Sequence, residues 1–226
     1  MRSFDSRADT VVCDEPLYAH YLQFTGLSHP GAEEIINTHD SDWRRVIEKL
    51  ISGSTGDALV FYQKHMAHHL LPHIDRGWLD HVTHIFLIRE PRAMLNSLLR
   101  VTPGAGIDDT GLPQQANLFH LAWERTGSPP PVVDARDILE NPEAILRALC
   151  LAIDIPFDDK MLSWSPGPRP TDGCWAPHWY RRVYESSGFA PYQPPDVLIP
   201  SDKIHLLELC QCLYEKMSPY RLQPGE

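Results

Sequence analysis

An α/β fold built on a parallel sheet flanked by helices is predicted by three observations. Four short, β-rich apolar runs recur along the chain, the segments between them carry helical patterning, and the runs are nearly continuous rather than alternating. Strands that are apolar on both faces belong in parallel sheets covered by helices on both sides.

The runs are TVVCDEP (10–16), DALVFYQK (57–64), HVTHIFLIR (81–89) and PPVVDAR (130–136). Between the first two, DSDWRRVIEKLI places Trp43, Val46, Ile47 and Leu50 on one helical face, with Asp40 or Ser41 as the cap. ENPEAILRALCLAIDIPF reads as a helix capped by Asn141, with Pro142 at its first position and Glu143 at its positive end. Residues 163–192 are rich in Pro and Gly yet hold Trp164, Trp175 and Trp179, so an ordered loop with a role is expected there. LIPSDKIHLLELCQCLYEKM reads as a terminal helix with Leu206, Leu209 and Leu213 inward. VTPGAGIDDTGLPQQ (101–115) is a loop that could serve as a lid.

A chain of 226 residues that is 42% hydrophobic is expected to form a single domain, 1–226. It has no apolar run of about 18 residues, and MRSFDSRADT has no signal-like apolar region. Five cysteines without a CxxC pair point to neither a disulfide framework nor a zinc knuckle, so a reduced, cytoplasmic protein is expected. A net charge of -10 opposes binding to nucleic acid or an anionic membrane. A small anion needs only local cations, and Arg89, Arg92 and Arg100 lie close together in sequence, as do Arg169, Arg181 and Arg182.

Three stretches carry candidate chemistry. Arg89 ends an apolar run, Pro91 opens the next helix, and Ser97 lies inside it. Ligands of open α/β sheets sit at the carboxyl ends of strands, and a helix N-terminus favours an anion. Arg89 and Ser97 fit one phosphate; an Arg–carboxylate pair with a solvated serine fits equally well. In FYQKHMAHHLLPHI, Lys64 could neutralise developing negative charge and His65 could accept a proton. If the segment were helical, His65, His69 and His73 would share a face beside His68, which resembles a metal site, but there is no HExxH pattern. In GPRPTDGCWAPHWYRRV, Arg169, Trp175 and the glycine backbone suit a purine nucleotide or, equally, a packed tryptophan loop.

Taken in order, VVCDEPLYAHYL, FYQKHM, FLIREPRAMLNS, ENPEAILRALCLAIDIPF and TDGCWAPHWY resemble the sulfotransferase superfamily, in particular its bacterial stand-alone sulfotransferase-like proteins. The resemblance implies a P-loop NTPase-like parallel sheet and a donor co-substrate, 3′-phosphoadenosine-5′-phosphosulfate (PAPS), used without a metal. It implies that Arg89 and Ser97, joined by Arg169, bind the donor's 3′-phosphate. It puts His65 at the position of the catalytic base, Lys64 beside it, and Asp14 and Glu15 near a small-molecule acceptor. The family's first strand and phosphosulfate-binding loop are expected immediately upstream of MRSFDSRADT, and SGSTGD (52–57) is no substitute. The chain as given is therefore expected to keep the 3′-phosphate half of the donor site and to show little transferase activity alone. Ala135 stands where many members place an aromatic near the adenine. A nucleotide-binding module without catalysis is the alternative, and a kinase-like protein the third reading.

Overall fold

The computed structural model describes residues 1–194 and 198–224. In chain order the elements are α1 (Arg2–Asp5), β1 (Thr10–Asp14), α2 (Tyr18–Thr25), α3 (Ala32–Thr38), α4 (Trp43–Ser52) and β2 (Val60–Lys64). There follow β3 (Phe86–Ile88), α5 (Pro91–Val101), α6 (Leu112–Thr126), β4 (Val132–Asp134), α7 (Ala135–Glu140) and α8 (Pro142–Ala152). The last helices are α9 (Ala176–Trp179), α10 (Arg181–Glu185) and α11 (Ile204–Glu215). Each apolar run holds a strand, shorter than the run itself. The chain divides into two compact units: Met1–Val82 with Asp158–Phe189, and Thr83–Phe157 with Ala190–Glu226.

In the first unit β1 and β2 pair in parallel, from Thr10 beside Val60 to Asp14 beside Lys64. A parallel pair needs a crossover, and α2, α3 and α4 supply it. The α4 face is as expected, with Val46, Ile47 and Leu50 buried, but its cap is Asp42, whose side chain accepts from Arg44 N at 3.0 Å. Asp40 instead pairs with Arg45 and Lys49 at 2.8 and 3.2 Å. One core cluster of this unit gathers Tyr18, Ala19, Leu22 and Ile35 around Trp175. Trp175 comes from the Pro- and Gly-rich stretch and is 2% exposed, so that stretch is ordered by its own aromatic anchor.

In the second unit β3 and β4 pair in parallel, ending with Ile88 beside Asp134. Leu222 N donates to Val132 O at 2.8 Å, laying the C-terminal segment along β4. Ile88, Leu95, Phe119, Val132, Cys210 and Met217 share the core, with Phe86 edge-on to Phe119. In α8, Asn141 caps as expected, accepting from Ala144 N at 3.3 Å. In α11 the inward face runs through Leu206 and Cys210, and Leu209 is 40% exposed. The expected inward Leu209 is corrected by the helix period: one step from Cys210 turns a side chain by about 100°. Residues 101–115 are anchored rather than open, by Lys203 Nζ donating to Ala105 O at 3.0 Å and by Asp109 accepting from Gly106 N at 2.8 Å.

Candidate functional site

The carboxyl ends of β1 and β2 carry a buried charge cluster. Asp14 closes β1, and Lys64 is its register partner at the end of β2. Lys64 Nζ lies 3.2 Å from Asp14 Oδ1 and also donates to Glu15 Oε1. Tyr180, just after α9, completes the arrangement: its hydroxyl donates to Asp14 Oδ2 at 2.6 Å and accepts from Lys64 Nζ at 2.9 Å. Asp14 and Glu15 are 6% and 9% exposed. One cation between two carboxylates explains how both remain there, since a buried charge left unpaired is expensive.

Glu15 is held in the left-handed region, with φ +43°. Its N–H donates to Lys64 O at 2.8 Å, extending the ladder by one bond, and its carbonyl accepts from Tyr18 N at 3.0 Å at the start of α2. That conformation is unfavourable for a residue with a Cβ. Here the ladder bond, the α2 entry and the Lys64 ion pair fix it together.

Burial raises the Glu15 pKa above the ordinary carboxylate value, against the opposing pull of Lys64. Burial also works against the Lys64 charge, but Glu15 and Asp14 outweigh it and hold the ammonium protonated well above its usual range. The Tyr180 phenol is pushed up by burial, with Lys64 opposing and Asp14 adding. Beside the cluster, His69 is 3% exposed and stacks on Tyr18 at 4.6 Å, with Tyr21 at the same distance. Burial, reinforced by His68 and Lys64, lowers its pKa well below the histidine norm, so the ring is neutral. The Tyr18 hydroxyl bonds His29 Nδ1 at 2.8 Å, and burial lifts its pKa to about 12.

Of the residues singled out from sequence, Lys64 lies inside this cluster. His65, half-buried, turns Nε2 to Gln63 Oε1 at 3.2 Å and packs its ring 5.7 Å from Trp78. Arg169 is paired with Asp5, and its N–H donates to Asp172 Oδ2 at 2.8 Å. Arg89 and Ser97 belong to the second unit, and both are exposed. Arg89 directly follows β3, and its side chain has no hydrogen-bond or ion-pair partner among the described residues. The helix end beside it is not vacant: the Glu90 carboxylate caps α5, accepting from Arg92 N at 3.0 Å and Ala93 N at 2.8 Å. The N–H groups expected to face an anion are thus engaged by the chain's own side chain.

The histidine-rich segment does not form the helical face that a metal would need. Only Ala67–His69 make a short 3₁₀ turn, and His73 reaches back to α2, its Nε2 2.9 Å from that of His20. His20 Nδ1 donates to the Ser41 carbonyl at 2.8 Å. Among the described residues, no group of three or more His, Cys, Asp or Glu side chains is placed to hold a metal ion. Nor is any helix among them long and apolar enough to cross a membrane.

Sequence reasoning missed Tyr180 and the specific place of His69. Tyr180 lies 116 positions from Lys64, and no local spacing connects them. His69 was one of four clustered histidines, and only its burial sets it apart.

Parallel strand pairs with polar residues at their carboxyl ends define an α/β protein with a strand-end site. The chain matches the family model described as "Sulfotransferase domain" over residues 1–220, and it belongs to that family. It is 36% identical over 214 residues to Branched-chain-amino-acid aminotransferase-like protein 1 of Arabidopsis thaliana, and 35% identical to protein 2 of the same name and plant. Each alignment covers 95% of this chain and 38% of the relative, so the chain spans well under half the length of these proteins. Among solved structures, it is similar to the "Sulfotransferase Domain from the Curacin Biosynthetic Pathway", with a TM-score of 0.43 and 14% identity, over 92% of this chain and 79% of that one.

Proposed function

We propose that this sulfotransferase-family chain takes part in sulfuryl transfer from PAPS to a small-molecule hydroxyl or amine, on a P-loop NTPase-like sheet. The supporting observation is Arg89: an exposed guanidinium, at the carboxyl end of a parallel strand, with no internal partner among the described residues. A planar fork of donors left unpaired at a strand end suits a phosphate, and the exposed Ser97 hydroxyl on the following helix adds a further donor. Arg169, which the resemblance joins to them, lies in the other unit and is neutralised there by Asp5. When bound, PAPS supplies the sulfuryl group and the leaving phosphate. His65 is one candidate for the acceptor's proton, whereas the Lys64 ammonium is already engaged by Asp14 and Glu15.

A second reading, nucleotide binding without catalysis, draws on the same pairing of cations: Lys64 and Arg169 both stand against carboxylates of their own unit. Calorimetric titration with adenosine 3′,5′-bisphosphate tests the shared donor site. Binding that Arg89→Ala abolishes is the expected result; equal affinity of the parent and Arg89→Ala would remove Arg89 from the site. Sulfate transfer from PAPS to any of a panel of alcohols and amines would exclude the module reading.

A further inference from the structure

The segment that follows β2 is docked on α2 by two histidine rings. His69 packs on Tyr18 and Tyr21, and His73, further along, meets His20 with Phe24 against its ring at 4.3 Å. The turn from Leu70 to Arg76 is organised from within. The Arg76 guanidinium donates to the carbonyls of Leu70, Leu71 and Ile74, and Leu70 and Ile74 are buried.

The contact between His20 and His73 admits one proton. Their Nε2 atoms are 2.9 Å apart and their ring centroids 5.1 Å, so the rings point at each other nitrogen to nitrogen. The gap is too short for a metal on that line, which would need two bonds of about 2.0–2.1 Å each. A carbonyl only accepts, so His20 Nδ1, bonded to Ser41 O, holds its proton in every state of the pair. Two lone pairs or two N–H groups facing each other at this distance repel; one N–H and one lone pair bond. The uncharged pair meets that condition with the proton supplied by His73. A first added proton goes to His73 Nδ1 and leaves the contact intact, now charge-assisted. A second puts an N–H on both sides and breaks it.

We propose that the His20–His73 contact is an acid-operated latch: at neutral pH it ties the 70–76 turn to α2, and in acid the second proton opens it. The proposal is independent of the transfer reading. Among the described residues no carboxylate pairs with either ring to hold a doubly charged state. The charges acting on His73 are His20 from α2, Arg76 from its own turn and Arg44 from α4. Asp75 is turned to Gly77 N at 2.7 Å, and Asp42 caps α4 and faces Arg45 at 3.3 Å. Desolvation, then those neighbours, lowers the His73 pKa, so the ring is uncharged at neutral pH. A lowered histidine pKa means stabilisation that is complete above the ordinary value of about 6.5 and is lost as pH falls below it. Once the closed pair carries its single charge, opening takes up one further proton, and the open-to-closed ratio rises about tenfold per pH unit. Burial holds the His69 pKa far lower, so His69 stays neutral and docked over this range.

An NMR titration of the full chain from about pH 7.5 to about pH 4, spanning the histidine value, tests it. The ring ¹⁵N resonances of His20 and His73 are expected to move in two steps, and the amides of Leu70, Leu71 and Arg76 with the second step only. Two variants separate the latch from general acid sensitivity, and His73 is exposed, so neither threatens folding. His73→Gln offers His20 an N–H that does not titrate, and its three amides should hold the closed positions throughout. His73→Phe keeps a ring against Phe24 without the bond, and its amides should sit near the acid positions already at neutral pH. The amides of α6, in the other unit, report global unfolding. The latch is overturned if the three amides of the parent move only together with those of α6. It is equally overturned if His73→Gln shows the same pH dependence as the parent, or if His73→Phe keeps the parent's neutral positions.

Discussion

Asp14 and Lys64 are register partners at the ends of β1 and β2, and their side chains meet at 3.2 Å with the Tyr180 hydroxyl bonded to both. The strand register therefore builds the charge cluster, and the cluster in turn fixes the ends of the strands.

Lys64→Met should be severely destabilising. It leaves the buried Asp14 and Glu15 carboxylates without their cation, a loss of about 3–5 kcal/mol. Urea unfolding measures it. Adding Asp14→Asn and Glu15→Gln to Lys64→Met should restore part of the loss, because the unpaired charges go too. If the single variant is as stable as the parent, the cluster does not exist as described.

Donor binding should divide unevenly between Arg89 and Ser97, both exposed in the second unit. Ser97→Ala is expected to weaken adenosine 3′,5′-bisphosphate by about tenfold, the worth of one hydrogen bond to a charged group. Arg89→Ala should do more, since it removes a planar fork of charged donors. Calorimetry ranks them, and a larger effect of Ser97→Ala would reverse the assignment.

Gly173 should tolerate no side chain. A Cβ there would collide with the Trp175 indole. Gly173→Ala must therefore displace a fully buried ring, and Trp175→Ala should cost about 3–5 kcal/mol. At Gly104 a Cβ meets nothing within 4 Å, which makes Gly104→Ala the comparison variant. Thermal melts that place Gly173→Ala and Gly104→Ala together would contradict the packing.

Asp40 should give the stability of the first unit an acid-sensitive component. Its hydrogen bond from Arg45, aided by Lys49, holds its pKa well below the usual carboxylate range. A depressed carboxylate pKa means stabilisation that is complete above the unfolded value and is lost as pH falls through the folded one. The partners are exposed, so the effect is small and weakens with salt. Parent and Asp40→Asn should differ near neutral pH and converge in acid; a gap unchanged down to strong acid would exclude the ion pairs as its source.

The cysteines should react in a set order. Cys212 is exposed, Cys150 and Cys210 are buried, and burial pushes the Cys13 thiol up to about 11. Only the thiolate is nucleophilic. Alkylation followed by mass spectrometry should label Cys212 first and Cys13 far later. Prompt labelling of Cys13 would mean that the end of β1 opens readily.

The four strands, the α4 face and the Asn141-capped helix were legible because each is dictated by local pattern. Apolar runs, a period of 3.6 and an Asn-Pro start need no distant partner to be recognised. Where short-range choices were nearly equal, the sequence could not select. Asp42 rather than Asp40 caps α4, because Asp40 is drawn to Arg45 and Lys49. Glu90 fills the α5 end where the strand–proline–helix pattern predicts an anion.

By itself the sequence determined the parallel α/β class, the helix faces and the presence of cations at strand ends, since these follow from composition and periodicity. Only tertiary structure decided which charges are spoken for. It set Lys64 between Asp14 and Glu15, brought Tyr180 to Lys64 from 116 residues away, paired Arg169 with Asp5 and left Arg89 without an internal partner among the described residues. The physical reason is that side-chain ionisation and pairing depend on burial and distance in space, and neither is encoded in local spacing.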